Sequence, residues 1–293
     1  MKQKWLKWLL IVSLLVGIQV AGMIIVDANE ESNTGEVEAK WWWNKDKDRN
    51  NPEDPEELPQ PEGGPEFTER VRQPVSNIIL QQRYPETVVL RGAEGDNRVA
   101  LTFDDGPDPR FTPTVLDVLA EYNVPATFFV MGARAEVYPD IVRRMINEGH
   151  IVGNHTRWHP NLVLEGDIET LEREVMATED ILQDIVGYRT SLFRPPYGFL
   201  FDELVERLAE LNYTVVGWDV DSLDWRELGA EDTAYNVLSN TRPGSIILMH
   251  DGGDWESDRT STIEALDLII PALQAQGIEF VTVPELLGIP YQK

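Results

Sequence analysis

The stretch RVALTFDDGP, residues 98–107, combines an apolar β-type run with two adjacent aspartates, Asp104 and Asp105. Its Val, Leu, Thr and Phe residues are typical of a buried strand, and the Gly-Pro pair after the aspartates is typical of a turn. Neighbouring strand residues point to opposite faces, so the chain must turn here if both carboxylates are to reach one site. The stretch therefore predicts a strand whose C-terminal end carries a paired carboxylate.

The rest of the chain alternates between short apolar, β-rich runs and helical patterns. This alternation predicts an α/β fold with a parallel sheet. Strands are predicted at 126–131, 151–153, 214–218, 245–249 and 279–281. Helices are predicted at 112–121, 135–148, 168–186, 202–211, 231–239 and 260–276. The TVVLRG and RVALTF runs flank a GAEGDN turn, which predicts a hairpin entering the sheet.

Three of the four histidines lie in two short motifs: His155 and His159 in HTRWHP, and His250 in LMHD. Two imidazoles four positions apart can bind one metal ion, and an aspartate can complete a three-ligand site with one open position. The remaining histidine is suited to proton transfer, because an unperturbed imidazole titrates near neutrality. The pattern indicates a metal-dependent hydrolase. His150 matches no motif and is predicted to be a structural or surface residue.

Five motifs occur in a fixed order: TFDDGP (102–107), HTRWHP (155–160), RPPYG (194–198), DSLDW (221–225) and LMHD (248–251). Together they resemble the motifs of the polysaccharide deacetylases, the NodB-homology or carbohydrate esterase family 4 enzymes. The resemblance extends over roughly residues 74–283. Any one of these motifs occurs by chance in unrelated proteins. All five in this order, spread over the length of a domain, are specific to the family.

The resemblance implies a distorted, incomplete (β/α) barrel of the NodB-homology type, with its chemistry at the C-terminal ends of the strands. It implies that Asp105, His155 and His159 bind a divalent metal. Zinc suits two imidazoles, a carboxylate and an open position best, with cobalt or nickel as substitutes. The resemblance assigns Asp104 as the general base and Arg194 as the residue that fixes the direction of the Asp104 carboxylate.

The same resemblance implies that the backbone N–H of Tyr197 stabilises the oxyanion and that His250 is the general acid. A carboxylate must hold the proton of this acid, and DSLDW offers two. Asp224 is favoured, with Asp221 as the alternative. Trp225 is expected to form a wall of the substrate groove, and Leu248 an apolar pocket for the acetyl methyl group.

The implied reaction removes N-acetyl groups from an extracellular polysaccharide. The leading candidate substrate is N-acetylglucosamine of peptidoglycan, and chitin-type oligomers are the next candidate. The same residues could serve an O-acetyl xylan esterase. A surface protein that only binds glycan is a third hypothesis. The complete set of ligands, base and acid argues against it, because binding alone does not require them.

The N-terminus predicts export. Lys2, Lys4 and Lys7 precede an uncharged run at 8–26, and acidic residues follow, which places the remainder outside the cytoplasm. Residues 1–28 are either a membrane anchor or a signal peptide, since small-residue cleavage sites lie near Ala21 and Ala28. Residues 29–73 form a predicted disordered, acidic, Pro-rich linker, in which Trp41-Trp42-Trp43 has no clear role. The catalytic domain is predicted at 74–293.

Composition narrows the remaining possibilities. The 293 residues include no cysteine, which excludes disulfides, thiolate zinc sites and cysteine nucleophiles. A formal net charge of −26 argues against nucleic-acid binding, because phosphate recognition needs clustered Lys and Arg. Between Lys47 and Lys293 the basic side chains other than histidine are all arginine, which fits either an alkaline or saline medium or a codon bias. A monomer is expected.

Overall fold

The computed structural model of the protein describes residues 74–95, 97–164 and 166–293. The predicted N-terminal segment 1–28, the linker 29–73 and the tryptophan triplet at 41–43 lie outside these residues. Among the described helices, none is both long and apolar enough to cross a bilayer.

The centre of the described domain is a sheet of nine short strands that pair in parallel throughout. In chain order these are β1 (Val88–Val89), β2 (Arg98–Asp104), β3 (Thr127–Val130), β4 (Ile151–Asn154), β5 (Leu192–Phe193), β6 (Thr214–Val216), β7 (Val220–Asp221), β8 (Ile246–His250) and β9 (Glu279–Val281). The spatial order is β1-β6-β5-β4-β3-β2-β8-β7, and β9 pairs with the first residues of β2. The path is open at β1 and β7, so the predicted incomplete (β/α) barrel is confirmed.

The helices connect these parallel strands, as crossover connections must. They are α1 (Asn77–Arg83), α2 (Thr112–Tyr122), α3 (Gly132–Val137), α4 (Pro139–Asn147), α5 (Ile168–Val186), α6 (Asp202–Glu210), α7 (Ala230–Asn240), α8 (Thr260–Ala275) and α9 (Val283–Leu287). Two short 3₁₀ turns, Pro196–Gly198 and Asp224–Arg226, lie between strands.

The single helix predicted at 135–148 is wrong, because the chain forms two helices there. Tyr138 ends α3 with φ −120° and ψ 55°, and Pro139 begins α4. Proline cannot donate the backbone hydrogen bond that a continuous helix needs, but its fixed φ suits a first helical turn.

The predicted hairpin is also wrong. β1 pairs in parallel with β6, and β2 pairs in parallel with β3, β8 and β9. The segment between them bonds elsewhere, since the Gly92 N–H donates to the Gly244 carbonyl at 2.7 Å. Strands buried on both faces read as continuous apolar runs, and such runs belong to parallel sheets rather than to an exposed hairpin.

Both faces of β2 are buried. Leu101 and Phe103 pack in a cluster with α2 and α8, while Ala100 packs in a second cluster with Phe129. Each large apolar side chain removed from water in this way contributes about 1.5–3 kcal/mol. The central strands are therefore fixed on both sides, and the residues at their C-terminal ends have a rigid base.

His150 is a structural residue, and the surface alternative is wrong. Its Nδ1 accepts the Ala126 N–H at 3.1 Å, and its ring meets the edge of Phe128 with centroids 5.3 Å apart. Burial lowers the pKa of His150 to about 4; Glu148 opposes this shift and Arg144 adds to it. His150 therefore joins the start of β4 to β3 in its neutral form.

This burial predicts an acid-sensitive component of stability. The unfolded chain binds a proton at His150 below about pH 6.5, whereas the folded chain does so only below about pH 4. Stability from this group is present above pH 6.5 and lost as the pH falls, by about 2 kcal/mol between pH 7 and pH 5. Denaturant unfolding should show that His150→Gln removes this part of the pH dependence. If the variant and the wild type lost equal stability between pH 7 and pH 5, the pH dependence would not come from His150.

Candidate active site

The candidate site lies where four parallel strands end. Asp104 is the last residue of β2 and pairs in register with His250, the last residue of β8. His155 follows the last residue of β4, and Arg194 follows the last residue of β5. Since parallel strands end at the same edge of a sheet, residues far apart in sequence meet there.

The turn predicted between the two aspartates is present. Asp105 has φ 72°, in the left-handed region, so its carboxylate does not point away from that of Asp104 as it would in a regular strand. The guanidinium of Arg134 donates to the Asp105 carbonyl at 2.9 Å. The next residue must be glycine, because a Cβ on Gly106 would lie 2.3 Å from Oδ2 of Asp251.

Asp105, His155 and His159 form a compact, buried cluster. Oδ1 of Asp105 lies 3.4 Å from Nε2 of His155 and 3.3 Å from Nε2 of His159. One donor atom from each residue lies within 4.8 Å of the other two. Tetrahedral ligands about 2.0–2.1 Å from a common ion are roughly 3.3 Å apart, so the spacing fits a divalent cation.

The hydrogen bonding of the cluster also fits a cation. Oδ1 of Asp105 and both ring nitrogens of His159 are buried without a hydrogen-bond partner among the described residues. Buried polar atoms normally have partners, and a bound cation would supply one. Nδ1 of His155 lies 2.7 Å from the Arg194 carbonyl, to which it donates; this fixes the ring and directs Nε2 into the cluster.

The protonation of the cluster follows from its burial and its charges. Burial alone would raise the pKa of Asp105, but His159 and His155 outweigh it and hold that pKa well below its usual range. Burial lowers the pKa of His159 to about 3. Asp105 is thus ionised and His159 neutral at pH 7, which are the forms that bind metals. For His155, Asp104 and Asp105 outweigh burial and raise the pKa, so a metal would displace its proton.

A tight turn holds the two histidines of the cluster. Thr156 and His159 both have positive φ, at 66° and 59°, and the His159 N–H donates to Oγ1 of Thr156. Sequence reasoning missed Glu174 on α5, whose Oε2 accepts the N–H groups of Arg157 and Trp158 at 3.0 and 2.8 Å. The available signal was an acid between apolar residues on the inner face of this helix.

Arg194 is fully buried and orients the Asp104 carboxylate. Its Nη1 donates to Oδ1 of Asp104 and to Oγ1 of Thr102, each at 2.8 Å. Its other nitrogens donate to the carbonyls of Val216 and Gly217. Burial lowers the pKa of this arginine, and Asp104 opposes the shift. The guanidinium therefore joins β2 to the C-terminal end of β6.

His250 is bound by Asp224 rather than by Asp221. The two oxygens of Asp224 accept from Nδ1 and from the backbone N–H of His250, at 2.7 and 2.8 Å. Burial favours a higher pKa for Asp224, but His250 outweighs it and the pKa falls to about 2. Asp221 instead accepts from the Leu223 N–H and the Trp225 side chain.

The three predicted substrate-contacting residues have different environments. Tyr197 has φ 61° and packs its ring edge-on against His159, with centroids 4.7 Å apart. Trp225 is half-buried in the 3₁₀ turn beside Arg226. Leu248 is buried in β8 two residues before His250, so both side chains point to the same face.

Comparison with known proteins identifies the relatives of this chain. The sequence model of a family described as polysaccharide deacetylase matches residues 91–216. Peptidoglycan-N-acetylglucosamine deacetylase of Bacillus cereus is 45% identical over 190 residues, which are 64% of this chain and 67% of that protein. Chitooligosaccharide deacetylase of Sinorhizobium fredii is 42% identical over 205 residues, 67% of this chain and 95% of that protein.

A solved structure is similar as well. The crystal structure of a peptidoglycan N-acetylglucosamine deacetylase superposes with a TM-score of 0.67 at 41% identity. The match includes 70% of this chain and 94% of that one. Because sequence and fold agree over most of the length of these relatives, the chain belongs to the polysaccharide deacetylase family.

Proposed function

We propose that the protein is a divalent-metal-dependent deacetylase that removes N-acetyl groups from N-acetylglucosamine in peptidoglycan, with chitin-type oligomers as the next substrate. One observation carries the proposal. The buried Asp105–His155–His159 cluster lies at the same sheet edge as two hydrogen-bonded pairs, Arg194–Asp104 and Asp224–His250. The activities of the Bacillus and Sinorhizobium relatives support the choice of substrates. The N-terminal apolar run supports action outside the cytoplasm.

Asp105, His155 and His159 would hold the metal, and zinc fits this donor set best. A bound divalent cation would lower the pKa of a water molecule towards roughly 7 and would polarise an acyl oxygen. In this mechanism Asp104 accepts a proton from the attacking water. Arg194 holds Oδ1 of Asp104, while Oδ2 lies on the side of the metal ligands, 3.8 Å from Nε2 of His155.

His250 completes the reaction by protonating the departing nitrogen. Asp224 binds Nδ1 of His250, so Nε2 is the nitrogen that faces the substrate. The backbone N–H of Tyr197 stabilises the oxyanion that forms on the acetyl group, a contribution typically worth about 100- to 1000-fold in rate. The carbon–nitrogen bond then breaks, giving acetate and a free amine on the sugar.

The direct test measures acetate released from N-acetylglucosamine oligomers and from peptidoglycan fragments. The metal-loaded protein should release acetate, a chelator should stop the release, and added zinc should restore it. Binding of these glycans without any release by metal-loaded protein would favour a protein that only binds glycan.

Substitution of Asp104 should lower catalysis, whereas substitution of its neighbour Asp105 should weaken metal binding. Asp104→Asn keeps the metal ligands but loses the base, so kcat should fall by about 100- to 10,000-fold with metal content unchanged. Asp105→Asn should bind metal at least about tenfold more weakly. Metal analysis and acetate release on both purified variants distinguish the roles. Equal metal loss in both would contradict the assignment of Asp104.

The two aspartates of DSLDW form a second matched pair. Asp224→Asn removes the carboxylate that orients His250, and kcat should fall by about 100-fold or more. Asp221→Asn should change kcat less than about tenfold, since its carboxylate contacts Leu223 and Trp225 instead. Steady-state kinetics measures kcat for both variants. A larger fall in kcat for Asp221→Asn than for Asp224→Asn would identify Asp221 as the functional partner of His250.

A further inference from the structure

Arginine side chains hold four consecutive carbonyls in the segment that follows β8, here called the clamped loop (residues 252–255). The Gly252 carbonyl accepts from Arg259 at 2.7 Å, and the Gly253 carbonyl accepts from Arg134. The carbonyls of Asp254 and Trp255 accept from Arg110 at 3.1 and 2.9 Å. Hydrogen bonds from a charged donor are stronger than bonds between neutral groups. The backbone of this loop is therefore unusually fixed.

Two of these three arginines connect the clamped loop to the active site. Arg134 also donates to the Asp105 carbonyl, and Arg259 also donates to the Asp224 carbonyl. Arg110 is itself held by the buried carboxylate of Asp108, through Nε at 3.1 Å and Nη2 at 2.8 Å. The position of the loop is thus set by the residues that place the metal ligands and the proposed acid.

The clamped loop presents one large aromatic side chain to solvent. Trp255 is 51% exposed, although the carbonyl of the same residue is bonded. The guanidinium of Arg110 lies 5.5 Å from the centroid of the Trp255 ring. An aromatic side chain on a fixed backbone loses little conformational entropy when it binds a ligand.

We propose that Trp255 is a sugar-binding platform at the rim of the active site. It would stack on a pyranose ring of the acetylated polymer, away from the sugar that loses its acetyl group. The inference rests on the proposed function. A sugar ring combines an apolar face with hydroxyl groups at its edge, which suits an exposed indole with polar neighbours.

The charges around Trp255 favour a neutral glycan over other occupants. Asp254, Glu256 and Asp258 are exposed on both sides of the tryptophan. Carboxylates accept hydrogen bonds from sugar hydroxyls, but they repel anionic lipid surfaces and polyanions. Arg134 and Arg259 bond both the clamped loop and the carbonyls of Asp105 and Asp224, so Trp255 lies on a segment that is fixed beside the candidate site.

Kinetics on the N-acetylglucosamine dimer and hexamer test the platform. Trp255→Ala should raise KM for the hexamer roughly five- to tenfold, with kcat and the dimer KM within about twofold of wild type. Trp255→Phe should recover most of the hexamer KM. Tyr235→Ala is the matched control, because Tyr235 is an exposed aromatic residue on α7, at 71% exposure, outside the clamped loop.

Equilibrium binding of the hexamer to Asp104→Asn, with and without Trp255→Ala, separates this inference from the proposed function. A weaker affinity on loss of Trp255 supports the platform even if the wild type releases no acetate. Unchanged hexamer affinity and KM would overturn it. A fall in kcat that is equal for dimer and hexamer would also overturn it, since Trp255 would then act only by positioning His250.

Discussion

Asp104 and Asp105 reach one site because the backbone leaves strand geometry between them. In a regular strand one carboxylate would face the barrel interior and the other the helices. The left-handed conformation of Asp105 is costly for a residue with a side chain, by about 1–3 kcal/mol, and persists only where its surroundings enforce it. Here Arg134 holds the Asp105 carbonyl, and Gly106 leaves room for Asp251. The proposed metal ligand and the proposed base can be neighbours in sequence only because of this turn.

Buried arginines form the framework around that turn. Arg134 and Arg194 are both fully buried, and each donates to groups on more than one strand or loop. A guanidinium offers five donors spread over a rigid plane, whereas the three donors of a lysine ammonium share one nitrogen and cannot reach acceptors so far apart. The absence of lysine between Lys47 and Lys293 is therefore no handicap to this site. The same chemistry fixes the loop after β8 and connects Trp255 to the catalytic residues.

The sequence predicted those features that depend on local pattern. The long periodic helix at 168–186 has the predicted bounds. The site residues were implied by the family resemblance of the five motifs, and the structure brings them together at or just beyond the ends of strands: Asp104, Asp105, His155, His159, Arg194, Asp224 and His250. Features that depend on distant partners were missed. The hairpin before β2 was inferred from turn residues, but the true neighbours of β1 and β2 lie far along the chain. β5 and β7 have two residues each, too few for a periodic pattern. The role of Glu174 was missed because its partners are backbone amides of another segment.

The central claim is that Asp105, His155 and His159 share one divalent ion. Anomalous diffraction at the zinc absorption edge, from crystals of zinc-loaded protein, measures this most directly. The account predicts a single strong peak bonded to Nε2 of both histidines and to Oδ1 of Asp105. A peak at other residues, or none at full zinc occupancy in solution, would contradict it.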